Sequence, residues 1–168
     1  MIIRTAREED LEALLSIYNY EVEHGTATFD MTPRTLEERR RWLTDHNRGN
    51  HPLLVAEKDG RPVGYASLSA YRAREAYEET VELSLYVDRN FRRQGIARAL
   101  MGAILEEAGR RPDIHSVISV ISGENEGSMI LHREFGFTLC GTIREAGKKF
   151  GRRLDIHIYQ RMFREHGC

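Results

Sequence analysis

The segment between Tyr86 and Leu100 carries residues whose types and spacing suit the binding of phosphate groups. An apolar strand pattern ends at Val87, arginines follow at positions 89, 92, 93 and 98, and Gly95 precedes a new apolar run. The first amides of a helix lack acceptors within that helix, so a helix beginning near this glycine presents N–H groups to phosphate oxygens. Arginine side chains add charge-assisted hydrogen bonds. The pattern predicts a site for a ligand with several phosphates, with a solvated basic helix start as the simpler alternative.

A second polar stripe is predicted on a short helix in the last third of the chain. Asn125, Ser128 and His132 recur at helical spacing and share one face, whereas Leu131 and Phe135 share another. A helix with this pattern packs its apolar face on the core and turns its polar face to a ligand. For His132 alone, a histidine that merely lines the core is the alternative.

Glu82 is the candidate proton acceptor on the strand that leads into the arginine-rich turn. Apolar and polar residues alternate from position 81 to 87, so Glu82 is predicted to lie on the opposite face of that strand from Leu83. A carboxylate near an amine can act as a general base. On the residues alone, an ordinary exposed strand carboxylate is the simpler interpretation.

Other kinds of site have less support. The chain lacks the G-x-x-x-x-G-K-[ST] and G-x-G-x-x-G motifs of nucleotide-binding loops. His46 and His51 have no cysteine or carboxylate partner at metal-ligand spacing, so no metal site is predicted. Cys140 is predicted to be a small buried residue rather than a nucleophile. Tyr18 on the first helix is predicted to belong to the core, with a position in the pocket as the alternative.

The rest of the pattern supplies the elements that hold these residues. The predicted order is β-α-α-β-β-β-α-β-α-β-β, which implies an α/β (α+β) fold with a mixed sheet and helices packed on its faces. Helical spacing from Leu11 to Val22 and a capping box at Thr35 and Glu38 predict the first two helices, and Asp59-Gly60 predicts a hairpin. The other elements are predicted at 2–5, 53–58, 62–71, 81–87, 94–109, 117–121, 127–135, 137–144 and 154–163.

Composition limits the class of protein. The 168 residues are 40% hydrophobic and 30% charged, which is typical of one globular domain. Because 25 basic residues face 26 acidic ones, the global basic footprint of a nucleic-acid-binding protein is absent. No apolar run approaches the roughly 20 residues that span a bilayer. The two cysteines, Cys140 and Cys168, form no C-x-x-C pair, so we expect a cytoplasmic protein without membrane or nucleic-acid partners.

Within the arginine-rich turn, Arg92 to Ala97 reads R-x-x-G-x-A, which resembles the acetyl-CoA motif of the GCN5-related N-acetyltransferase (GNAT) superfamily. The segment from Asn125 to Phe137 supports the resemblance, although His132 stands where tyrosine is common. The resemblance implies a mostly antiparallel twisted sheet of six to seven strands with about four helices, and acetyl-CoA as cosubstrate without a metal. The residues that it assigns to acetyl-CoA are Leu85, Tyr86, Val87, Arg92, Arg93, Gln94, Gly95, Ile96, Ala97, Arg98, Asn125 and Ser128.

Nearly the whole chain resembles phosphinothricin N-acetyltransferases and their methionine-sulfoximine-acetylating relatives. The matching segments lie at 18–19, 26–29, 71–77, 80–82, 131–132 and 147–152, with departures at Arg153 and at Leu83-Ser84. The resemblance implies a single domain over 1–168 that acetylates the α-amine of phosphinothricin, methionine sulfoximine or methionine sulfone, with herbicide resistance as a consequence. The alternatives are acetylation of a protein N-terminus or a polyamine, and a non-catalytic acyl-CoA-binding module.

The same resemblance implies individual roles. Glu82 is the general base, and His132 either returns a proton to the departing thiolate or assists as a second base, since an ordinary imidazole pKa of about 6.5 suits both tasks. A backbone N–H of the strand that ends at Val87 is expected to donate to the developing oxyanion. A homodimer is also expected. The residues assigned to the small amino-acid substrate are Phe29, Arg72, Arg74 and Tyr77, with a solvated loop as the alternative for the two arginines.

Overall fold

Four helices and seven strands follow one another in the predicted order in a computed structural model that describes residues 1–163. Cys168 and the last five positions of the expected 1–168 domain lie outside the described residues. The strands are β1 (Ile2–Thr5), β2 (Leu53–Lys58), β3 (Arg61–Ala70), β4 (Thr80–Val87), β5 (Ser116–Ser122), β6 (Thr138–Lys149) and β7 (Arg152–Met162). The helices are α1 (Leu11–His24), α2 (Leu36–Thr44), α3 (Ile96–Gly109) and α4 (Glu126–Glu134).

The strands form one mixed sheet in the order β1-β2-β3-β4-β5-β7-β6. Five of the six neighbouring pairs are antiparallel, and β4 and β5 form the parallel pair. A parallel pair needs a crossover connection, and α3 provides it. The predicted class and fold are therefore confirmed. The antiparallel pattern is interrupted between β4 and β5, which run in the same direction.

Short-range signals fix several boundaries. Thr35 and Glu38 form the predicted capping box, in which the Thr35 N–H donates to the Glu38 carboxylate (2.7 Å) and the Glu38 N–H donates to the Thr35 hydroxyl (3.2 Å). Asp59 and Gly60 have φ values of 51° and 76°, as the predicted tight hairpin requires. The start of α2 and the turn between β2 and β3 are therefore set by residues that are neighbours in the sequence.

The helices cover opposite faces of the sheet. The apolar side of α3, including Leu100 and Ile104, packs with Val81 and Val117 in the larger core cluster. On the other face, α1 and α2 pack against β2 and β3, with Tyr65 at 1% exposure in the second cluster. As a result, alternate side chains of β4 face two different layers.

The C-terminal hairpin differs from the prediction. β6 runs to Lys149 instead of ending near position 144, and it turns into β7 at Phe150 and Gly151. This edge strand is exposed along most of its length, so it lacks the apolar alternation that marks a strand in a sequence. Cys140 lies on β6 and is exposed, so the prediction that it is buried is wrong.

Candidate active site

β4 and β5 separate at the centre of the sheet. Their pairing covers only Thr80 to Glu82 of β4 against Ser116 to Ile118 of β5, although both strands continue beyond this register. A cavity of about 580 Å³ opens between the diverging strands, lined on one side by residues 82–86 and on the other by residues 119–122. The edge of β4 that faces this gap carries backbone groups that are free to meet a ligand.

Glu82 lies at the point where the two strands diverge and lines the cavity. Its side chain is half-buried, and burial raises the pKa of the carboxyl group above its ordinary value. The Arg72 guanidinium opposes this effect. Glu82 faces the same layer as Tyr86, as the alternation predicted. A carboxylate with a raised pKa in a cavity is a suitable proton acceptor.

His132 lies on α4 across the cavity from β4 and is only 5% exposed. Its Nδ1 lies 2.7 Å from the Ser128 carbonyl oxygen, and its Nε2 lies 2.9 Å from the Ser119 hydroxyl oxygen. A carbonyl oxygen can only accept, so Nδ1 carries the hydrogen and Nε2 accepts from Ser119. Burial lowers the pKa of the imidazole, so the ring is neutral at neutral pH.

The turn before α3 has the geometry that the sequence suggested for a phosphate site. Gly95 caps the helix with a φ of 79°, and a Cβ placed there would meet nothing within 4 Å. A cavity of about 480 Å³ adjoins the first turn of α3, and it shares Ala97, Gly127 and Leu131 with the cavity between the strands. The two spaces therefore form one path from the helix N-terminus to Glu82 and His132, which fits a long ligand with phosphates at one end.

The predicted cofactor residues are distributed along this path, with one exception. Leu85, Tyr86, Asn125 and Ser128 line the inner cavity, and the Asn125 side chain accepts from the Ser128 N–H to cap α4. Gln94 is instead turned toward Lys58, whose Nζ donates to its side-chain oxygen (2.8 Å). The other predicted cofactor residues line the outer cavity: Val87, Arg92, Arg93, Gly95, Ile96, Ala97 and Arg98.

The arginines of this turn are not one free cluster. Arg92 forms an ion pair with Glu21, and Arg98 forms one with Glu134 (2.5 Å). Arg89 lies over the ring of Tyr20, 4.5 Å from its centroid, and lines neither of the two connected cavities. Arg93 lines the outer cavity with a positive φ of 61°.

The residues predicted for the acceptor fall into two groups. Phe29 lines the inner cavity, and β6 fixes its ring, because a Cβ at Gly147 would lie 2.5 Å from it. Arg72, Arg74 and Tyr77 lie on the exposed connection between β3 and β4 and line neither connected cavity. Arg72 lies over the Tyr71 ring and acts on the pKa of Glu82.

Two residues that line the cavity were missed or misjudged from the sequence. Tyr18 is half-buried and lines the cavity, which was the alternative to a core position; its hydroxyl interacts with Thr28, which lines the same cavity, and with Asp30. Ser119 is 2% exposed and reaches His132 from β5. A serine inside an apolar strand was the available signal, since a buried hydroxyl needs a partner.

Two other kinds of feature are absent from the described part of the chain. No helix within residues 1–163 is long and apolar enough to cross a bilayer. The same residues contain no group of three or more histidine, cysteine or acidic side chains arranged to hold a metal ion.

The chain belongs to the Acetyltransferase (GNAT) domain family, whose model matches residues 3–158, and it is therefore an acetyltransferase. It is 41% identical to a phosphinothricin N-acetyltransferase of Streptomyces coelicolor, over 95% of this chain and 94% of that protein. It is 38% identical to an L-methionine sulfoximine/L-methionine sulfone acetyltransferase of Pseudomonas aeruginosa, over 94% and 92%. The resemblance to this group of N-acetyltransferases is thereby confirmed.

Solved structures agree with this assignment. A GNAT superfamily phosphinothricin acetyltransferase from Sinorhizobium meliloti, in complex with acetyl-CoA, has a TM-score of 0.91 and 36% identity, covering 96% of this chain and 88% of that one. A ribosomal-protein-alanine N-acetyltransferase from Brucella melitensis has a TM-score of 0.93 and 44% identity, covering 97% and 100%. The fold and the enzyme class are therefore established, whereas the names of these relatives differ in the acceptor.

Proposed function

We propose that this enzyme transfers the acetyl group of acetyl-CoA to the α-amine of small amino acids of the phosphinothricin type, including methionine sulfoximine and methionine sulfone. The observation that carries the proposal is that Glu82 and His132 line one cavity, which connects with the space at the N-terminus of α3. The relatives with these substrates in their names match more than nine-tenths of the chain. The whole chain, residues 1–168, acts as one domain in this proposal.

The residues of the outer cavity would hold the cofactor. The first amides of α3, from Ile96 to Arg98, have no acceptors within the helix and suit pyrophosphate oxygens. Arg93 adds a guanidinium at the same cavity. When bound, acetyl-CoA supplies an activated acetyl group. The free edge of β4 at Leu85 to Val87 offers backbone groups to its extended arm and a donor for the developing oxyanion.

Glu82 acts first. An acceptor α-amine is mostly protonated at neutral pH and must lose a proton before it can attack a carbonyl carbon. Glu82 accepts that proton, directly or through a water molecule, and its raised pKa brings its basicity closer to that of the amine. Arg72 lies close enough to affect this carboxylate and would meet an acidic group of the acceptor, with Arg74 and Tyr77 on the same connection.

His132 carries the second proton. Its neutral ring, with Nε2 facing Ser119, is poised to accept rather than to donate. Ser119 relays to Nε2 the proton that the acceptor nitrogen loses as its new bond to carbon forms. The resulting imidazolium then returns a proton through Ser119 to the departing thiolate. The ring is thus a second base and afterwards an acid, which unites the two roles that the sequence left open.

A homodimer is part of the proposal. The edge strand β6 exposes Leu139 and Ile143 by 53% and 50%, and an exposed apolar edge strand is suited to pairing with a second copy. Light scattering that gives the mass of a single chain would contradict this part.

We place the enzyme in the cytoplasm, in keeping with its two cysteines outside any C-x-x-C pair.

A steady-state assay of thiol release with a panel of amino acids tests the function. We expect acetylation of phosphinothricin, methionine sulfoximine and methionine sulfone, and a loss of about 100-fold or more in kcat for Glu82→Gln. Glu79→Gln is the matched control, since Glu79 is an exposed carboxylate just before β4. Release of no thiol with any small acceptor would remove the proposal.

Acetylation of a protein N-terminus is the second candidate, because the Brucella relative carries that activity in its name. A panel of peptides ending in alanine, assayed beside the amino acids, separates the two. The arginines near the cavity disfavour a polyamine.

A non-catalytic acyl-CoA-binding module is a further alternative, and it would bind coenzyme A without turnover of any acceptor. Full activity of the double variant Glu82→Gln and His132→Ala would refute the catalytic roles given to both residues.

A further inference from the structure

A separate cavity of about 490 Å³ lies on the α1 and α2 side of the sheet. Its floor is formed by β3 and β4, where Tyr65 and Ser67 stand directly opposite Tyr86 and Ser84 in the antiparallel register. It shares Tyr18, Ser84 and Tyr86 with the cavity that holds Glu82 and His132. The two spaces therefore meet across one strand, and a ligand at Glu82 can extend into the second cavity.

The cavity contains a buried cation whose hydrogen bonding is incomplete. Arg39 of α2 is 5% exposed and lines the cavity. Its Nη2 donates to the Tyr65 hydroxyl (2.5 Å), whereas its Nε has no hydrogen-bond partner within residues 1–163. Leaving a charged donor buried without an acceptor is costly. Such a donor in a cavity points to an acceptor brought by a ligand.

Aromatic packing does not remove this deficit. The Arg39 guanidinium carbon lies 3.4 Å from the centroid of the Trp42 ring and 5.1 Å from that of Tyr65. Stacking of this kind satisfies the face of the guanidinium and fixes its orientation. The N–H groups lie in the plane of the guanidinium, so stacking on its faces gives none of them an acceptor. The Trp42 and Tyr65 rings therefore fix the Arg39 guanidinium in an orientation in which it can bind an oxygen atom of a ligand.

The other charges of the cavity are largely engaged. The Asp30 carboxylate accepts from Arg34 and from the Tyr18 hydroxyl, and the Glu38 carboxylate accepts from the Thr35 N–H. Arg41 pairs with Glu37, outside the cavity lining, and Asp45 is exposed. Arg39 is thus the buried charge of this cavity that is available to a ligand.

The spacing of β4 suggests which part of an acceptor reaches Arg39. Glu82 and Ser84 lie on the same face two residues apart, which is about 6.5 to 7 Å along a strand. In phosphinothricin and methionine sulfone, three carbon atoms separate the amine nitrogen from the phosphorus or sulfur atom. An acceptor with its amine at Glu82 and its chain extended along β4 therefore brings its side-chain oxygens to about the level of Ser84, which lines both cavities, whereas its α-carboxylate stays close to Glu82 and the arginines of the β3–β4 connection.

We propose that Arg39 binds the side-chain oxygens of the acceptor, the anionic phosphinate of phosphinothricin or the neutral sulfone of methionine sulfone, and thereby determines specificity for oxygenated side chains. The inference rests on the proposed function and extends it. Ser67 and Ser84, with hydroxyl groups on the cavity floor, complete the polar surface around the bound oxygens. L-Methionine has the same carbon chain without these oxygens and gains nothing from Arg39.

The test compares phosphinothricin, L-methionine sulfone and L-methionine as acceptors for Arg39→Gln and for the control Arg40→Gln. Arg40 is the next residue of α2, is exposed and pairs with Glu8, away from both cavities. Loss of a charged hydrogen bond is worth about 10- to 100-fold, so Arg39→Gln should lower kcat/KM by that factor for phosphinothricin, less for the sulfone, and little for methionine. Arg40→Gln should leave all three values unchanged.

An equal loss for all three acceptors would overturn the inference, because it would mark Arg39 as structural, and an unchanged preference would overturn it as well. If Arg39→Gln does not fold, Arg39→Lys keeps the charge and should retain part of the preference. The Nε–H resonance of Arg39, assigned by its absence in the lysine variant, gives a readout without turnover. The resonance should shift when phosphinothricin is added and should not shift with methionine. If the protein acetylates neither compound and the resonance still shifts with phosphinothricin, this binding site is supported and the proposed function is refuted.

Discussion

The Oγ of Ser119 lies 2.9 Å from Nε2 of His132, and this contact indicates that Nε2 of the neutral ring is a hydrogen-bond acceptor. Nδ1 is committed to the Ser128 carbonyl oxygen, 2.7 Å away, so the hydrogen of a neutral imidazole resides there. The Ser119 hydroxyl therefore donates to Nε2 and lies on the cavity wall beside the imidazole. In the proposed mechanism, this hydroxyl relays the proton between the ligand and the ring.

Ser119→Ala should lower kcat by about 10- to 100-fold, because a positioned proton-transfer group contributes on that scale or above. The KM for the acceptor should change little, since the hydroxyl serves the ring rather than binding. Initial rates with each substrate varied in turn provide the measurement. Ser116→Ala removes another buried hydroxyl of β5 that bonds to Gln160 and lies outside the cavity, and it should keep its kcat. Equal rates for the two variants would rule out the relay.

The acid limb of the pH profile should report Glu82. Burial raises the pKa of its carboxyl group, so kcat/KM should fall at a higher pH than expected for an ordinary glutamate as the base becomes protonated. Arg72 lowers that pKa, so Arg72→Gln should move the limb to still higher pH. Arg74→Gln, on the same exposed connection, should leave the position of the limb unchanged. A limb that stays in place for Arg72→Gln would disconnect this arginine from the base.

Much of the fold is encoded in local patterns that a single sequence displays. The capping box at Thr35, the tight turn at Gly60 and the alternation through Glu82 each depend on neighbouring residues, so their elements were predictable. The edge strand β6 was underestimated, because exposure on most of its length removes the apolar alternation. Cys140 was misplaced for the same reason, since an edge strand can leave an apolar residue exposed.

The candidate site was only partly predictable, since it depends on contacts between residues far apart in the sequence. Glu82 and His132 meet at one cavity because β4 and β5 diverge, and no residue pattern encodes the angle between two strands. The charge of Arg92 is shared with Glu21, 71 positions away. In the sequence, Arg39 belongs to a polar helix and resembles a surface residue. The structure shows that it is buried, because it packs against Trp42 and Tyr65.

Gly147→Ala should impair the acceptor site selectively. A Cβ at this position would lie 2.5 Å from the Phe29 ring, so the ring must move into the cavity that it lines. We expect the KM for the amino-acid acceptor to rise several-fold, while the KM for acetyl-CoA stays constant. Gly141→Ala is the matched control on the same strand, because a Cβ there meets nothing within 4 Å. Equal KM values for the two variants would show that Phe29 does not form the acceptor pocket.

Gly95→Ala separates backbone strain from cofactor binding. Gly95 has a φ of 79° with open space around its Cβ direction, and so does Gly60 in the β2–β3 hairpin, with a φ of 76°. A left-handed alanine costs about 1 to 2 kcal/mol, so both alanine variants should lose a similar few degrees of melting temperature in the absence of ligand. Of these two glycines, only Gly95 adjoins the cavity at the start of α3.

The KM for acetyl-CoA should therefore rise about tenfold or more for Gly95→Ala, because a methyl group at position 95 keeps the backbone away from the phosphates. The KM for acetyl-CoA should remain unchanged for Gly60→Ala. A normal KM for acetyl-CoA in Gly95→Ala would mean that the cofactor's phosphates bind elsewhere.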